Sequence, residues 1–250
     1  MSRVPFSAFV ADYRAHKLKE ELATDWGSLV FYRLPAFVFA WAVLPLGVTP
    51  NQLSFAGLLT IPAIALAAWV LPPATAMIAV TVLALVFNVL DCADGALARV
   101  SGKGTLSGRY MDFAADILYR NVAYASYGLI ADRIWPGAAF PWLAVGLSCG
   151  LLATYARVNR LYAERLFGTA NGKTSPSRRG AADLAFSFLS GLDTLLPLIA
   201  LAAWAAGELT LALLWFLLFT LGDAVVEVGG IYLAARRFDV AQAGDEIRRD

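Results

Sequence analysis

Four aspartates crowd into one stretch of this chain, FNVLDCADGALARVSGKGTLSGRYMDFAADILYR (87–120). Asp91 and Asp94 are spaced i, i+3, and Asp112 and Asp116 are spaced i, i+4. On helices, each pair lies on one face. Two antiparallel helices joined by a short loop around 100–108 would bring the pairs together at one end. Four carboxylates cannot crowd together ionised without a compensating charge. Divalent cations supply it, and an all-oxygen site suits Mg²⁺, Mn²⁺ or Ca²⁺. Two such ions about 3.5–4 Å apart clamp a phosphoryl group during in-line displacement. The residues between the pairs suit a phosphate ligand. Gly95 and Ala98 leave the helix surface open, and Arg99 is a fixed cation. Gly102, Gly104 and Gly108 make the loop permissive, while Lys103 and Thr105 add donors. The plainer reading makes each pair a helix cap or a partner of Arg99, Arg109 or Arg120. Two facing pairs with small residues between them weigh against it, because carboxylates in apolar spans are costly and mark function.

The elements that must carry these groups are written in the composition. Apolar residues make up 59% of the 250 and charged residues 16%, against about 45–50% and 25% in soluble domains. That excludes an ordinary soluble enzyme and a disordered chain. A net charge of +1 gives no electrostatic case for nucleic acid. Two cysteines are too few for a disulfide framework, and one histidine excludes His-rich metal sites and a Ser-His-Asp triad. No charged residue occurs from Leu34 to Leu90, from Ile134 to Ala156, or from Leu209 to Gly222. Since about 20 apolar residues cross the hydrocarbon core, six spans are expected: about 52–71, 75–95, 109–131, 137–160, 182–206 and 209–235. Breakers at Leu71-Pro72-Pro73, Trp135-Pro136-Gly137 and Ala206-Gly207-Glu208 separate several of them.

Residues 29–47 are long enough to span but are interrupted by Arg33 and Pro35. Lys/Arg bias decides the matter. With 29–47 in the interface, the basic residues of the N-terminus, the 99–109 loop, the 160–180 loop and the C-terminus share one side, leaving Arg133 opposite. The expected fold is therefore an all-α integral membrane protein of six transmembrane helices, preceded by an interfacial juxtamembrane helix. Both termini and the aspartates face the cytoplasm, in the manner of a bacterial inner-membrane protein. The first residues carry charges throughout and do not read as a signal peptide. Phe6, Phe9, Val10 and Tyr13 fall at helical spacing, so an amphipathic surface helix and a solvated helix are both open. The division reads as 1–27, an N-terminal cytoplasmic amphipathic segment; 28–236, the membrane domain; and 237–250, a cytoplasmic tail.

Residues 91–116 fit D-x2-D-G-x2-A-R-x8-G-x3-D-x3-D at every defined position: Asp91, Asp94, Gly95, Ala98, Arg99, Gly108, Asp112 and Asp116. This resembles the CDP-alcohol phosphotransferase family, as does the wider pattern of a juxtamembrane helix followed by Thr49-Pro50-Asn51 and six spans. The resemblance covers roughly 28–236. It implies that a CDP-linked donor gives its phosphoryl-alcohol unit to an acceptor hydroxyl and that CMP leaves. It implies Asp91, Asp94 and Asp112 as ligands of Mg²⁺ or Mn²⁺ in a two-metal site, and Asp116 as catalytic base and further ligand. Asn51, Ser54, Gly95, Ala98, Arg99, Thr105 and Gly108 correspond to the CDP-binding positions. A homodimer is implied as well.

Other polar residues have two readings each. Arg157 and Arg160 form an anion pocket for a phosphorylated acceptor, or anchor the fourth span at the cytoplasmic face. Arg120 pairs with Asp116 or lines the acceptor cavity. Asn88 orders Asp91 or makes a helix–helix hydrogen bond. Asp193, Asp223 and Glu227 balance arginines, form a subunit contact or line the cavity. The reading that accounts for most of these features is transfer of a phosphatidyl group from CDP-diacylglycerol to a small alcohol in phospholipid synthesis. The same chemistry with a soluble CDP-alcohol donor and a lipid acceptor is the alternative. A cation-coupled transporter is the alternative from another class, against which stands the clustering of the aspartates at one membrane face rather than at the midplane.

Overall fold

The computed structural model describes residues 4–138, 140–171 and 191–247. Among the described residues every regular element is helical. Four short helices come first: α1 (Phe6–His16), α2 (Leu18–Thr24), α3 (Trp26–Phe31) and α4 (Arg33–Val43). A 3₁₀ turn, Leu44–Leu46, leads to α5 (Pro50–Val70), α6 (Pro73–Ser101), α7 (Leu106–Ile134) and α8 (Trp142–Asn171). The described part ends with α9 (Leu196–Ala205) and α10 (Leu209–Ile247). Much of the expected span at 182–206, and the polar loop before it, lies outside the described residues.

Local chemistry sets the boundaries. The Thr49 side chain accepts from Gln52 N–H while the Gln52 side chain accepts from Thr49 N–H, a reciprocal cap with Pro50 at the first helical position. Leu71-Pro72-Pro73 ends α5 at Val70 and starts α6 on Pro73. Gly102 takes φ +65°, which suits glycine, and lets Gly102 and Lys103 N–H close on the Arg99 and Ala98 carbonyls. Thr105 then caps α7 by accepting from Gly108 N–H at 2.9 Å. Only residues 102–105 separate α6 from α7, so the two run antiparallel with the aspartate pairs near the turn.

Three described helical stretches are long and apolar enough to cross a membrane: Pro50–Val70, Pro73–Ser101 and Leu209–Asp239. Only 39% of the first apolar window and 33% of the last are buried within the chain. Leu59, Leu66, Trp69, Leu218 and Tyr232 stand on the outside. An apolar exterior of that extent belongs against lipid, so the chain is an all-α membrane protein. Helices α7 and α8 are as long but carry more charge, and use it within the fold: the Asp132 carboxylate accepts from Trp142 and Leu143 N–H at 2.7 and 2.9 Å, capping α8. Their backbones meet through small residues. A Cβ on Gly146 would lie 2.3 Å from the Tyr124 carbonyl oxygen. The core between the long helices is filled by Ile64, Met77, Val80, Phe87, Tyr124, Tyr127 and Phe216.

The segment 29–47 does not form one rod: it breaks at Tyr32 and again after Val43. At the first break the Arg33 guanidinium pairs with Glu21 of α2 and reaches the Cys92 carbonyl; at the second stand Pro45 and Gly47, whose φ is +76°. Helix α1 is neither solvated nor free to lie on lipid by its apolar face. Phe9 and Tyr13 are buried against Phe37, and Phe6 meets Trp41 edge-on. Tyr13 donates to Glu21 at 2.7 Å. Burial, and then this hydrogen bond, push the Tyr13 hydroxyl well above its ordinary pKa, so it stays a donor.

Candidate active site

Three helices meet around a small cavity lined by Ser54 and Gly57 of α5, Phe87, Asp91 and Asp94 of α6, and Asp112 and Ala115 of α7. The antiparallel α6–α7 turn brings the two aspartate pairs face to face. Gly57 of α5 faces Phe87 and Leu90 of α6. Ser54 donates to one Asp94 carboxylate oxygen. Asp91 shares the cavity with Asp94 and Asp112, and the charges of Asp112, Asp116 and Asp94 all bear on it. All are negative.

This arrangement bears on a metal in two ways. Among the described residues, no three His, Cys, Asp or Glu side chains are gathered as a finished metal cage. The donor set nevertheless fits a hard divalent cation. Carboxylate oxygens line one small cavity, a hydroxyl joins them, and the strongest charges around Asp91 are like charges that a cation would offset. Asp116 does not line the cavity itself. It is paired with Arg157 of α8, and Arg120 donates to it at 3.3 Å.

The residues matched to a nucleotide form two further groups. Asn51 and Gly108 are in near contact: a Cβ on Gly108 would lie 2.7 Å from the Asn51 side-chain oxygen. Thr105, besides capping α7, donates to that oxygen at 3.3 Å. Gly95 and Arg99 form the second group. The Arg99 guanidinium folds back along α6 over Gly95, its Nη1 3.3 Å from where a Cβ there would stand. Ala98 lies one turn above, its carbonyl closing the helix end. Arg99 Nε donates to Asp12 at 2.8 Å, while its Nη2 is buried without a hydrogen-bond partner.

Of the three arginines considered for the acceptor, Arg120 and Arg157 both reach Asp116, and Arg160 pairs elsewhere. Arg120 pairs with Asp193, which also accepts from Tyr124 at 2.5 Å. Arg157 turns to Asp116, and Arg160 turns to Glu227 at 3.2 Å and Asp223 at 3.6 Å on α10. So Asp193, Asp223 and Glu227 balance arginines. Asn88 donates to the Tyr119 hydroxyl of α7 at 3.0 Å, the helix–helix alternative, and does not order Asp91. Sequence reading passed over Asp12, which meets Arg99 across 87 residues. No local pattern could have paired them.

A family model described as CDP-alcohol phosphatidyltransferase matches residues 47–222. The match starts just before α5 and ends within α10, leaving α1 to α4 outside it. A search of curated proteins matched none of them to the chain.

Proposed function

The chain belongs to the CDP-alcohol phosphatidyltransferase family, and from that premise we propose that it moves a phosphatidyl group from CDP-diacylglycerol to a small alcohol, releasing CMP. The acceptor is one of glycerol phosphate, inositol phosphate, inositol or serine, and the pathway is phospholipid synthesis. The observation that carries the reading is the cavity where Ser54, Asp91, Asp94 and Asp112 converge from three helices.

Asp91, Asp94, Asp112 and Asp116 would hold the Mg²⁺ or Mn²⁺ of a two-metal site; when bound, such ions neutralise the pyrophosphate and stabilise departing CMP. The chain's own groups do the rest. Asn51, Ser54, Gly95, Ala98, Arg99, Thr105 and Gly108 seat the cytidine diphosphate. Asp116 takes the proton from the acceptor hydroxyl. The acceptor oxygen bonds to the phosphorus bearing the lipid, the bond from that phosphorus to CMP breaks, and the electron pair leaves on CMP. Arg120 and Arg157 aim the Asp116 carboxylate, which accounts for two of the three acceptor-side arginines. Arg160 borders the acceptor.

In this reading the enzyme has six spans, with 29–47 in the interface and both termini and the site cytoplasmic, so that soluble CMP escapes while diacylglycerol stays among the helices. The family domain is 28–236, flanked by 1–27 and 237–250, and it works as a homodimer in the bacterial inner membrane.

The test offers purified protein CDP-diacylglycerol, Mg²⁺ and the four acceptors, and reads CMP release and labelled lipid together. One acceptor should yield both. Asp116→Asn should lower turnover by about 10²- to 10⁴-fold, the range for losing a general base. Cation flux without CMP release from any acceptor would replace the enzyme reading with a transporter. Turnover only with a soluble CDP-alcohol and a lipid acceptor would reverse the donor assignment.

A further inference from the structure

We propose that Asp12, in the helix that precedes the matched family region, is a positioning residue for the nucleotide: it holds Arg99 so that its free nitrogen meets the donor's phosphate. The inference rests on the proposed role of Arg99 at the CDP site.

Four observations converge on it. One Asp12 oxygen accepts from Arg99 Nε at 2.8 Å and the other lies 3.1 Å from Nδ1 of the exposed His16, which also lies 3.0 Å from the Asp12 carbonyl oxygen. The guanidinium is laid across Gly95, the one motif position where a side chain would crowd Nη1. With Nε and Nη1 placed, Nη2 is left buried and unpartnered. A buried donor of this kind costs free energy unless something accepts from it. Arg99 is also within electrostatic reach of Asp94, which lines the cavity. The ligand that suits a planar cation beside an acidic cavity is an oxyanion that brings its own counter-ions, as a nucleotide diphosphate does.

Helix α1 is fixed well enough to do this. Phe9 and Tyr13 are buried, and Tyr13, Glu21 and Arg33 form a chain of contacts ending on the Cys92 carbonyl of α6. Asp12 faces Arg99 from the same helix. The carboxylate takes Nε alone and leaves Nη2 buried with no protein acceptor.

The experiment compares wild type, Asp12→Asn, Asp12→Glu and Phe9→Ala as full-length protein. Two quantities are read: the KM and kcat for CDP-diacylglycerol, and the Kd for CDP in the absence of acceptor. Loss of a charge-assisted hydrogen bond at the guanidinium predicts a roughly tenfold rise in KM and in Kd for Asp12→Asn. Its kcat at saturating donor should stay within about twofold of wild type. Asp12→Glu should recover most of the affinity. Phe9→Ala loosens the docking of α1 without touching the ion pair and should raise Kd less than Asp12→Asn does. Unchanged or tighter CDP binding in Asp12→Asn overturns the proposal, as does an equal loss in Phe9→Ala. Because CDP binding is read without turnover, a protein that binds CDP through Asp12 and Arg99 yet releases no CMP would sink the proposed reaction and leave this inference standing.

Discussion

Replacing Gly108 by alanine separates the fold from the nucleotide site. The new methyl would sit 2.7 Å from the Asn51 side-chain oxygen and 3.0 Å from Thr105 Oγ1, where contacts become ordinary only from 3.4 Å. Asn51 must therefore withdraw by about 0.7 Å. It can, because it is exposed and the crowding atom is the tip of its side chain. The fold loses the 3.3 Å hydrogen bond between Thr105 and Asn51, worth about 1 kcal/mol or less at an exposed site. It gains about 0.5–1 kcal/mol from alanine in place of helical glycine. The two nearly cancel, so the melting temperature in detergent should move by no more than about 3 °C. Donor binding has no such compensation: a displaced Asn51 should raise the KM for CDP-diacylglycerol roughly tenfold, the value of one good polar contact, with little change in kcat. The Asn51→Ala, Gly108→Ala double variant should be no worse than Asn51→Ala alone, since both act through one side chain. A melting temperature lowered by more than about 6 °C would show that Gly108 is a packing residue. An unchanged KM, or additive losses in the double variant, would refute the link between Gly108, Asn51 and the nucleotide.

Two further outcomes follow from the packing and the charges. Asp91→Asn removes one of the carboxylates that line the cavity, so the rise in melting temperature that Mg²⁺ gives wild type should shrink; differential scanning fluorimetry in Mg²⁺ and in EDTA reads it, and an equal rise in both proteins would mean the carboxylates do not act on one ion. Gly146→Ala puts a methyl 2.3 Å from the Tyr124 carbonyl, which is backbone and cannot swing aside, so α7 and α8 must part by about 1 Å at a cost of roughly 1–3 kcal/mol; an unaltered thermal midpoint would show that the seam is slack.

What the sequence could reveal depended on distance along the chain. The helix ends around the site were legible because Thr49, Pro50, Pro73 and Gly102 each act on the nearest few residues. The pairs Asp91/Asp94 and Asp112/Asp116 were legible because helical spacing puts each on one face, and a loop of 102–105 leaves their helices one arrangement. The partners of Asp116 were not. Arg157 lies on another helix, and no spacing rule sets the register of α8 against α7. Hydropathy marked α5, α6 and α10 as apolar rods but says less of α7 and α8, where a charge such as Asp132 is spent on capping a neighbour. The apolar stripe of α1 was visible, but Phe9 and Tyr13 read the same whether they meet lipid or Phe37.

The contacts of the first four helices give that N-terminal segment a purpose beyond anchoring. It reaches α6 at two polar points, Arg33 on the Cys92 carbonyl and Asp12 on Arg99. Both fall within the run 91–99, which carries Asp91 and Asp94 of the cavity. A helix end near a turn frays unless something fixes it, and the last turns of α6 precede the Gly102 turn. Burial of Arg33 and Glu21 together is costly unless their geometry is kept, so the segment has one well-determined docking position. A segment with one docking position, touching α6 where the site residues are densest, restrains the side chains that must stay put while the donor binds. The family match begins at residue 47, and Arg99 inside it meets Asp12 outside it: the matched helices build the cavity, and a helix before them reaches an arginine of α6.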